Sequence, residues 1–444
     1  MPAATPSAHD RFARDADITA MREALRLAQQ AVGLCEPNPR VGCVITAADG
    51  RVIGRGHTQA AGAAHAEVAA LADAARQGET VRGATAYVSL EPCSHHGRTP
   101  PCCDALIRAD IKRVVVAVQD PNPLVAGEGL ARLRAAGIAV DVGLMADEAR
   151  ELNIGFFSRM LRGLPWLRLK VAISLDGRTA LADGQSQWIT GEAARADGHA
   201  WRRRAGAALT GVGTVRDDDP RLDVRLVETP RQPQRVIVDS RLETPLAARI
   251  LQPPGAPWIY AALRDEPRIA AFAARGAEVV LTPGANAKVD LRAMLHDLAA
   301  RGINELHVEA GSKLNGSFVR EDLVDEWLVY VAPRLLGPGR DLASLGPLAA
   351  LADAVALRYH AVDRVGDDLA PSSSPQCRLA PRTKGPAIRR PTPKIRPRCP
   401  RRPRRRVLLS SSASRRRRPC ARPTWTPPLS RKRSSFSESP GAGS

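Results

Sequence analysis

Between Ile18 and Val142 the chain switches repeatedly between two hydrophobic periods, and this limits the fold more than any other feature. "ITAMREALRLAQQAV" spaces its apolar residues as a helix does, and "VGCVITAADGRVIGRGH" reads as a hairpin turning at Asp49-Gly50. "HAEVAALADAARQG" predicts a helix ended by Gly78, "ATAYVSLEP" a buried strand, "CCDALIRA" a helix and "RVVVAV" another buried strand. "GLARLRAAGIAVDVG" adds a last helix and strand. Continuous apolar strands interleaved with amphipathic helices require helices on both faces of one sheet, so this half is α/β. A helical connector leads to a second α/β run, from "PWLRLKVAISLDGRTA" through "RVIVDS", "WIYAAL", "EVVLT" and "ELHVEA" to "EWLVYVAPRLLG".

After "AVDRVGDDLA" the alternation stops. Residues 371 to 444 hold 14 prolines and 21 Lys+Arg against one acidic residue, Glu438, leaving 44 basic and 45 acidic residues in 1 to 370. The formal net charge of +19 therefore belongs to the tail and says nothing about partners of the body. With Arg runs and no amphipathic period, the tail is expected to be disordered. No stretch approaches the roughly 18 apolar residues of a membrane span, and the N-terminus has no apolar signal core, so a cytoplasmic location is expected. The body's cysteines, Cys35, Cys43, Cys93, Cys102 and Cys103, are odd in number and mostly clustered. That suits metal binding in a reducing compartment better than a disulfide framework.

The stretch "EPCSHHGRTPPCC" and the upstream "HAE" carry the chemistry. Zinc deaminases of bases need three protein ligands, an open fourth position for water, and a nearby carboxylate that is not a ligand. His65 and Glu67 open a helix and Cys93 follows a strand, matching the H-x-E…P-C half of that pattern; the next cysteine, Cys102, comes after eight residues instead of two. Zinc on one imidazole and two thiolates would lower the pKa of a bound water from about 15.7 towards about 7, and Glu67 would then move protons. Cys103 is the rival of Cys102, but neighbours on a helix point about 100° apart, so only one can face the metal; Cys102 is chosen. His95 and His96 are either ligands or part of a loop against substrate, and the loop is preferred.

"PNPRVGCVI", "HAEVAAL", "SLEPCSHHGRTPPC" and "DPNPLVAGEGL" resemble the deaminase half of the bifunctional riboflavin-biosynthesis deaminase/reductase family. The eight-residue spacer is a feature of that family. The resemblance implies a cytidine-deaminase-like three-layer α/β/α fold, one Zn²⁺ on His65, Cys93 and Cys102, Glu67 as proton carrier and a diaminopyrimidine ribotide as substrate. Asn38 is either a turn residue flanked by prolines or an amide partner for the pyrimidine edge.

"INELHVEAGSKLNGSF" runs strand, Gly-bearing turn, helix, an arrangement able to hold a pyrophosphate, although neither it nor "TGVGTV" is a G-x-G-x-x-G fingerprint. "LKVAISLDGRTA", "SQWIT", "LTGVGTVRDDDPRLDVR", "VIVDS" and "HVEAGSKLNGSF" look like the reductase half of the same family, which implies a dihydrofolate-reductase-like α/β domain using NADPH. By that similarity Ala172, Thr179, Trp188, Thr214, Asp218, Ser240 and a loop of Gly311, Ser312, Lys313, Leu314, Asn315, Gly316 and Ser317 would lie along the cofactor. Ser186, Arg202, Leu222, Arg225 and Glu309 would contact the ribotide. Two arginines suit a 5′-phosphate, and Lys170 would polarise the ribose C1′ as hydride arrives.

The expected organisation is a deaminase domain over 18–145, a connector over 146–164, a reductase domain over 165–369 and a disordered tail over 370–444. Members of the family close the reductase with another strand, so a frameshift at Asp367 to Leu369 is expected to have replaced it and bared an edge. The competing reading is a basic arm for nucleic acid, disfavoured by the scarcity of aromatics among the arginines. The resemblance also suggests homo-oligomeric assembly.

Overall fold

The computed structural model describes residues 8–95, 100–123, 125–253 and 255–375, with side chains from Asp15 onward. In the first half, β1 (Gly42–Thr46), β2 (Val52–His57), β3 (Thr85–Val88), β4 (Arg113–Val116) and β5 (Ala139–Val142) form one sheet in the order β2-β1-β3-β4-β5. β1 is antiparallel to both neighbours, and β3, β4 and β5 are parallel. The helices are α1 (Ala8–Gln30), α2 (Ala66–Arg76), α3 (Cys102–Arg108) and α4 (Glu128–Ala135).

Two glycines show how the layers close. A Cβ on Gly42 would lie 1.8 Å from the Ala24 carbonyl oxygen of α1, and one on Gly56 would lie 2.3 Å from the Ala66 carbonyl oxygen of α2. Gly56 pairs with Cys43, the neighbour of Gly42, so the two positions point to opposite faces. Helices α1 and α2 therefore cover opposite sides of the sheet, as a three-layer α/β/α domain requires. Cys43 consequently faces α2 and shares its buried space with Glu67.

The connector is two helices, α5 (Ala146–Leu152) and α6 (Ile154–Arg162). The second half contains β6 (Trp166–Ser174), β7 (Arg178–Leu181), α7 (Glu192–Arg204), β8 (Ala207–Gly211), α8 (Val212–Asp218), β9 (Gln234–Val238) and β10 (Trp258–Ala261). It continues through α9 (Glu266–Ala273), β11 (Glu278–Leu281), α10 (Leu291–Ala300), β12 (Glu305–Val308), α11 (Ser312–Arg320) and β13 (Glu326–Ala332). It ends with β14 (Gly339–Asp341), β15 (Leu357–Val365) and β16 (Asp368–Pro375). Nine strands share a sheet in the order β11-β10-β9-β8-β12-β6-β13-β16-β15, and β14 pairs with β7. From β11 to β13 every pairing is parallel; β16 runs antiparallel to both β13 and β15.

This last strand corrects the expected boundary at 369. Ser373 pairs with Trp327 of β13 on one side and Tyr359 of β15 on the other, so the edge of β13 is covered. Small serines fit this crowded position: Ser373 and Ser374 are buried, and Ser374 Oγ lies 2.7 Å from His360 Nε2. A ladder available on both sides outweighs a Pro/Ser-rich composition that argues against a strand. Residues 376–444, with the Arg runs and the readings attached to them, lie outside the described residues.

The halves meet across buried charge. Glu305, 1% exposed, accepts from Arg40 at 2.6 Å, Arg168 at 2.9 Å and Arg204 at 2.8 Å. Arg168 also reaches Glu326 at 2.9 Å, and Arg40 reaches Glu36 at 3.2 Å. Burial alone would raise the Glu305 pKa, but Arg204, Arg40 and Arg168 outweigh it and hold the carboxyl well below the usual range. Arg40 comes from the first half and Arg168 and Arg204 from the second, so one carboxylate ties both together.

Candidate active sites

His65 precedes α2 as its N-cap, Cys93 lies past the carboxyl end of β3, and Cys102 opens α3. Their ligand atoms all lie within 4.8 Å of one another. His65 Nδ1 is 3.5 Å from Cys93 Sγ and 3.3 Å from Cys102 Sγ. Zinc–nitrogen and zinc–sulfur bonds of about 2.1 and 2.3 Å at tetrahedral angles would separate such atoms by about 3.6 Å, so the residues fit the ion without rearrangement. Cys103 turns the other way into the apolar core, which selects Cys102. His95 is exposed and stands outside the cluster; His96 lies outside the described residues.

The thiols are poised for a metal. A hydrogen bond from Cys102, opposed by burial, and a second from His65 hold the Cys93 thiol down at about 4, while the same Cys102–Cys93 bond and burial push Cys102 up. Metal binding would displace the Cys102 proton. Glu67 is 3% exposed, one residue into α2; burial, reinforced by the Cys93 charge, pushes its carboxyl up to about 7. A carboxyl that titrates near neutrality beside the ligand triangle can take and return a proton.

Sequence reasoning missed Glu91. Its buried carboxylate accepts from the backbone N–H groups of Asp120, Gly127, Gly129 and Leu130 at 2.9 to 3.3 Å. Two residues before Cys93, it ties the ligand-bearing segment to the start of α4. The signal was a carboxylate inside an otherwise apolar strand end, "SLEP", which has to find donors.

In the second half, several predicted residues converge. Arg202 Nε donates to Glu309 Oε1 at 2.8 Å and Arg202 Nη1 to the Asp223 carbonyl. Lys170 Nζ is 3.5 Å from Glu309 Oε2, and Arg225 Nη1 is 2.8 Å from Asp223 Oδ1. The Arg225 backbone N–H donates to His199 Nδ1 at 3.1 Å. Burial, aided by Arg202 and Arg225, lowers the His199 pKa to about 4, so its imidazole is neutral. Ser186 Oγ donates to Asp218 Oδ1 at 3.0 Å, joining a residue expected on substrate to one expected on cofactor. Leu222 is buried, with φ at +56°.

Thr214, Ser240 and Gly311 lie just past the carboxyl ends of β8, β9 and β12, adjacent parallel strands. Ligands of open α/β sheets bind at that edge. Gly311 caps α11 in an extended conformation with no side-chain hydrogen bond, leaving first-turn N–H groups suited to a pyrophosphate. Ala172 lies on β6 beside Tyr330, and Thr179 Oγ1 is 3.2 Å from the Arg340 carbonyl in the small β7–β14 sheet. Trp188 is 58% exposed, its ring under the Arg195 guanidinium at 4.7 Å.

The stretch from Ser312 to Ser317, read from its residues as a helix after a Gly-bearing turn and from the family resemblance as part of a cofactor loop, is in helix α11. Asn315 Nδ2 donates to the Leu342 carbonyl at 2.8 Å, and a Cβ on Gly316 would lie 2.0 Å from the Ser344 carbonyl oxygen. Both therefore pack against the 342–344 segment, whose Ser344 N–H also donates to the Ser312 carbonyl at the start of the helix at 2.8 Å. Ser317 Oγ donates back to the Lys313 carbonyl at 3.2 Å.

Residues 14–118 match the family model of the cytidine and deoxycytidylate deaminase zinc-binding region, and residues 165–370 match that of the RibD C-terminal domain. The chain is 47% identical over 362 residues to riboflavin biosynthesis protein RibD of Escherichia coli, covering 79% of this chain and 96% of that protein. It is 43% identical to RibD of Aquifex aeolicus, covering 80% and 98%. A solved RibD structure from Acinetobacter baumannii superposes with TM-score 0.75 at 41% identity, covering 82% of this chain and 99% of that one. A diaminohydroxyphosphoribosylaminopyrimidine deaminase/5-amino-6-(5-phosphoribosylamino)uracil reductase from Thermotoga maritima superposes with TM-score 0.74 at 32% identity, covering 82% and 99%. With a zinc-ligand triangle in one half and a reductase domain in the other, the chain belongs to the RibD family of riboflavin-biosynthesis enzymes, deaminase and reductase in one polypeptide.

Proposed function

We propose that the first half hydrolyses the ring amino group of 2,5-diamino-6-(5-phosphoribosylamino)pyrimidin-4-one and that the second reduces the ribosyl chain of the product to ribityl. The observation that carries the first step is the His65, Cys93 and Cys102 triangle with the buried Glu67 carboxyl beside it. Held by His65, Cys93 and Cys102, a zinc ion would supply the Lewis acidity that makes a water nucleophilic near neutral pH. Glu67 would take one proton from the attacking water and pass it to the ring nitrogen, then take the remaining proton of the added hydroxyl and pass it to the departing amine. The C–N bond breaks, ammonia leaves, and a ring carbonyl replaces the amino group. Asn38, on the loop leading into β1, presents its amide to the pyrimidine edge.

For the second step NADPH, when bound, would supply the hydride that reduces ribose C1′. Arg202 and Arg225, whose guanidiniums converge on Asp223, offer the geometry for the 5′-phosphate, and Lys170 next to Glu309 places a proton donor at the carbon's substituent. Thr214, Ser240 and the N-terminus of α11, at the carboxyl ends of β8, β9 and β12, would hold the cofactor. Among the described residues no helix is long and apolar enough to cross a membrane. The free thiols of the described residues and NADPH chemistry support a cytoplasmic location.

Glu67→Gln tests the deaminase step. Ammonia release is expected to fall by at least about 10²-fold while zinc stays at one per chain and NADPH oxidation with the deaminated ribotide is unchanged. Ammonia release at the unsubstituted rate would overturn the assignment.

A further inference from the structure

We infer that Asn304, a residue of the reductase half, is a positioning residue for the deaminase reaction: it holds the loop of residues 35 to 40 in the shape that presents Asn38 to the pyrimidine. The inference rests on the role of Asn38 proposed above.

The loop stands at the metal end of its sheet. Gly42, where β1 begins, donates its N–H to Ser89 Oγ at 3.0 Å and accepts from Ser89 N at 3.1 Å. Ser89 continues β3 towards Cys93. The segment carrying Asn38 therefore enters the sheet alongside the strand that delivers a zinc ligand.

Its two flanks are held from outside the deaminase half. Asn304, 3% exposed and immediately ahead of β12, donates through Nδ2 to Glu36 Oε2 at 2.7 Å and to the Pro37 carbonyl at 3.0 Å. Its Oδ1 accepts from Arg159 Nε at 2.6 Å, and Arg159 Nη2 donates to the same Pro37 carbonyl at 3.1 Å. A Cβ on Gly302 would lie 3.0 Å from Pro37 Cβ, so the reductase backbone also packs against that ring. Beyond Asn38, the Arg40 side chain is held by Glu305, and its backbone N–H and carbonyl are both held by Asn153. Within the loop, Asn38 N–H donates to the Cys35 carbonyl at 2.9 Å and the Cys35 thiol donates to the Asn38 carbonyl at 3.2 Å.

An amide suits the junction because it must donate to a carboxylate and a carbonyl while accepting from a guanidinium. Neither a carboxylate nor an apolar side chain can do all three. Without it, Glu36 and Pro37 lose the contact that fixes the approach to Asn38, and the cost falls on substrate binding.

The test is kinetic, on the full chain with its zinc. Asn304→Ala and Asn304→Asp are each expected to raise the deaminase KM about tenfold, as for the loss of a charge-assisted hydrogen bond, with kcat within about twofold. Zinc content, and both KM and kcat for NADPH-dependent reduction, should be unchanged. Arg159→Met, which leaves the buried amide in place, is expected to raise the same KM more modestly, and provides the test if the position 304 variants fail to fold. An unchanged deaminase KM in a folded Asn304 variant, or in Arg159→Met, overturns the inference. So does a parallel loss of both activities or of zinc, which marks a general structural role. Asn38→Ala separates the two layers: if it raises KM and Asn304→Ala does not, only the inference falls; if it leaves KM unchanged, the role of Asn38 itself is wrong.

Discussion

Arg202 serves several partners at once. It donates to the carboxylate of Glu309 and to the carbonyl of Asp223, and lies on the helix facing Lys170 and His307. Arg202→Met is expected to raise the KM for the phosphorylated pyrimidine about 10- to 100-fold, since hydrogen bonds to charged groups are worth about 1.5–3 kcal/mol. The KM for NADPH should move little; steady-state NADPH oxidation with each substrate varied in turn reads both. At this scale the sequence was legible where chemistry dictates residue type. A zinc deaminase needs an imidazole, two thiols and a carboxylate, and His65, Glu67 and Cys93 stand out by spacing, whereas the eight-residue spacer before Cys102 fits only by the family resemblance. Glu91 could be flagged only as a carboxylate needing donors, and Asn304 not at all, because the backbone N–H groups that hold the one and the Glu36, Pro37 and Arg159 groups that hold the other come together only after folding.

Among the elements, β16 was the hardest to see. Proline and serine argue against a strand, yet the segment has a ladder on each side, and Asp368 at its start accepts the N–H of Gly191 at 2.8 Å, the cap of α7. The strand thus fixes the helix that carries Arg202. Ser373→Pro would delete a backbone donor inside the sheet and is expected to cost about 3 kcal/mol, visible as a lower Tm. Ammonia release at temperatures below the transition should be spared. The apolar strands and amphipathic helices of both halves were legible because burial imposes their periods. The strand, Gly-bearing turn and helix of "INELHVEAGSKLNGSF" were legible because glycine and serine at a strand end fit a helix cap.

For the whole molecule, the deciding feature is charge in strands that should be apolar. Arg168 in "PWLRLKV", Glu305 in "INELHV" and Glu326 in "DEWLVYV" each interrupt a buried run, and such residues must be paired. Sequence alone could flag them but not say that Arg40 of the other domain completes the set. Glu305→Gln would leave buried guanidiniums short of a carboxylate and is expected to cost about 3–5 kcal/mol at neutral pH. The folded pKa of Glu305 lies below its unfolded value, so the stabilisation is present above the ordinary glutamate range and fades as pH falls through and below it. Between about pH 5 and 3 the unsubstituted enzyme should lose more stability than Glu305→Gln, measured by urea unfolding. Glu36, whose carboxyl burial pushes up with help from the Glu305 charge, titrates with the opposite sign and shares Arg40, so the difference between the two proteins reports the network centred on Glu305.

The strand β12 leaves the domain contact at Asn304 and Glu305 and reaches the reductase cluster at Glu309 five residues on. A single inserted residue along it would turn Glu309 to the wrong face of the sheet or pull Asn304 off the pyrimidine loop. Two chemistries that are separable on paper are thereby made to share one mutational fate, so descent would preserve them jointly or discard them jointly.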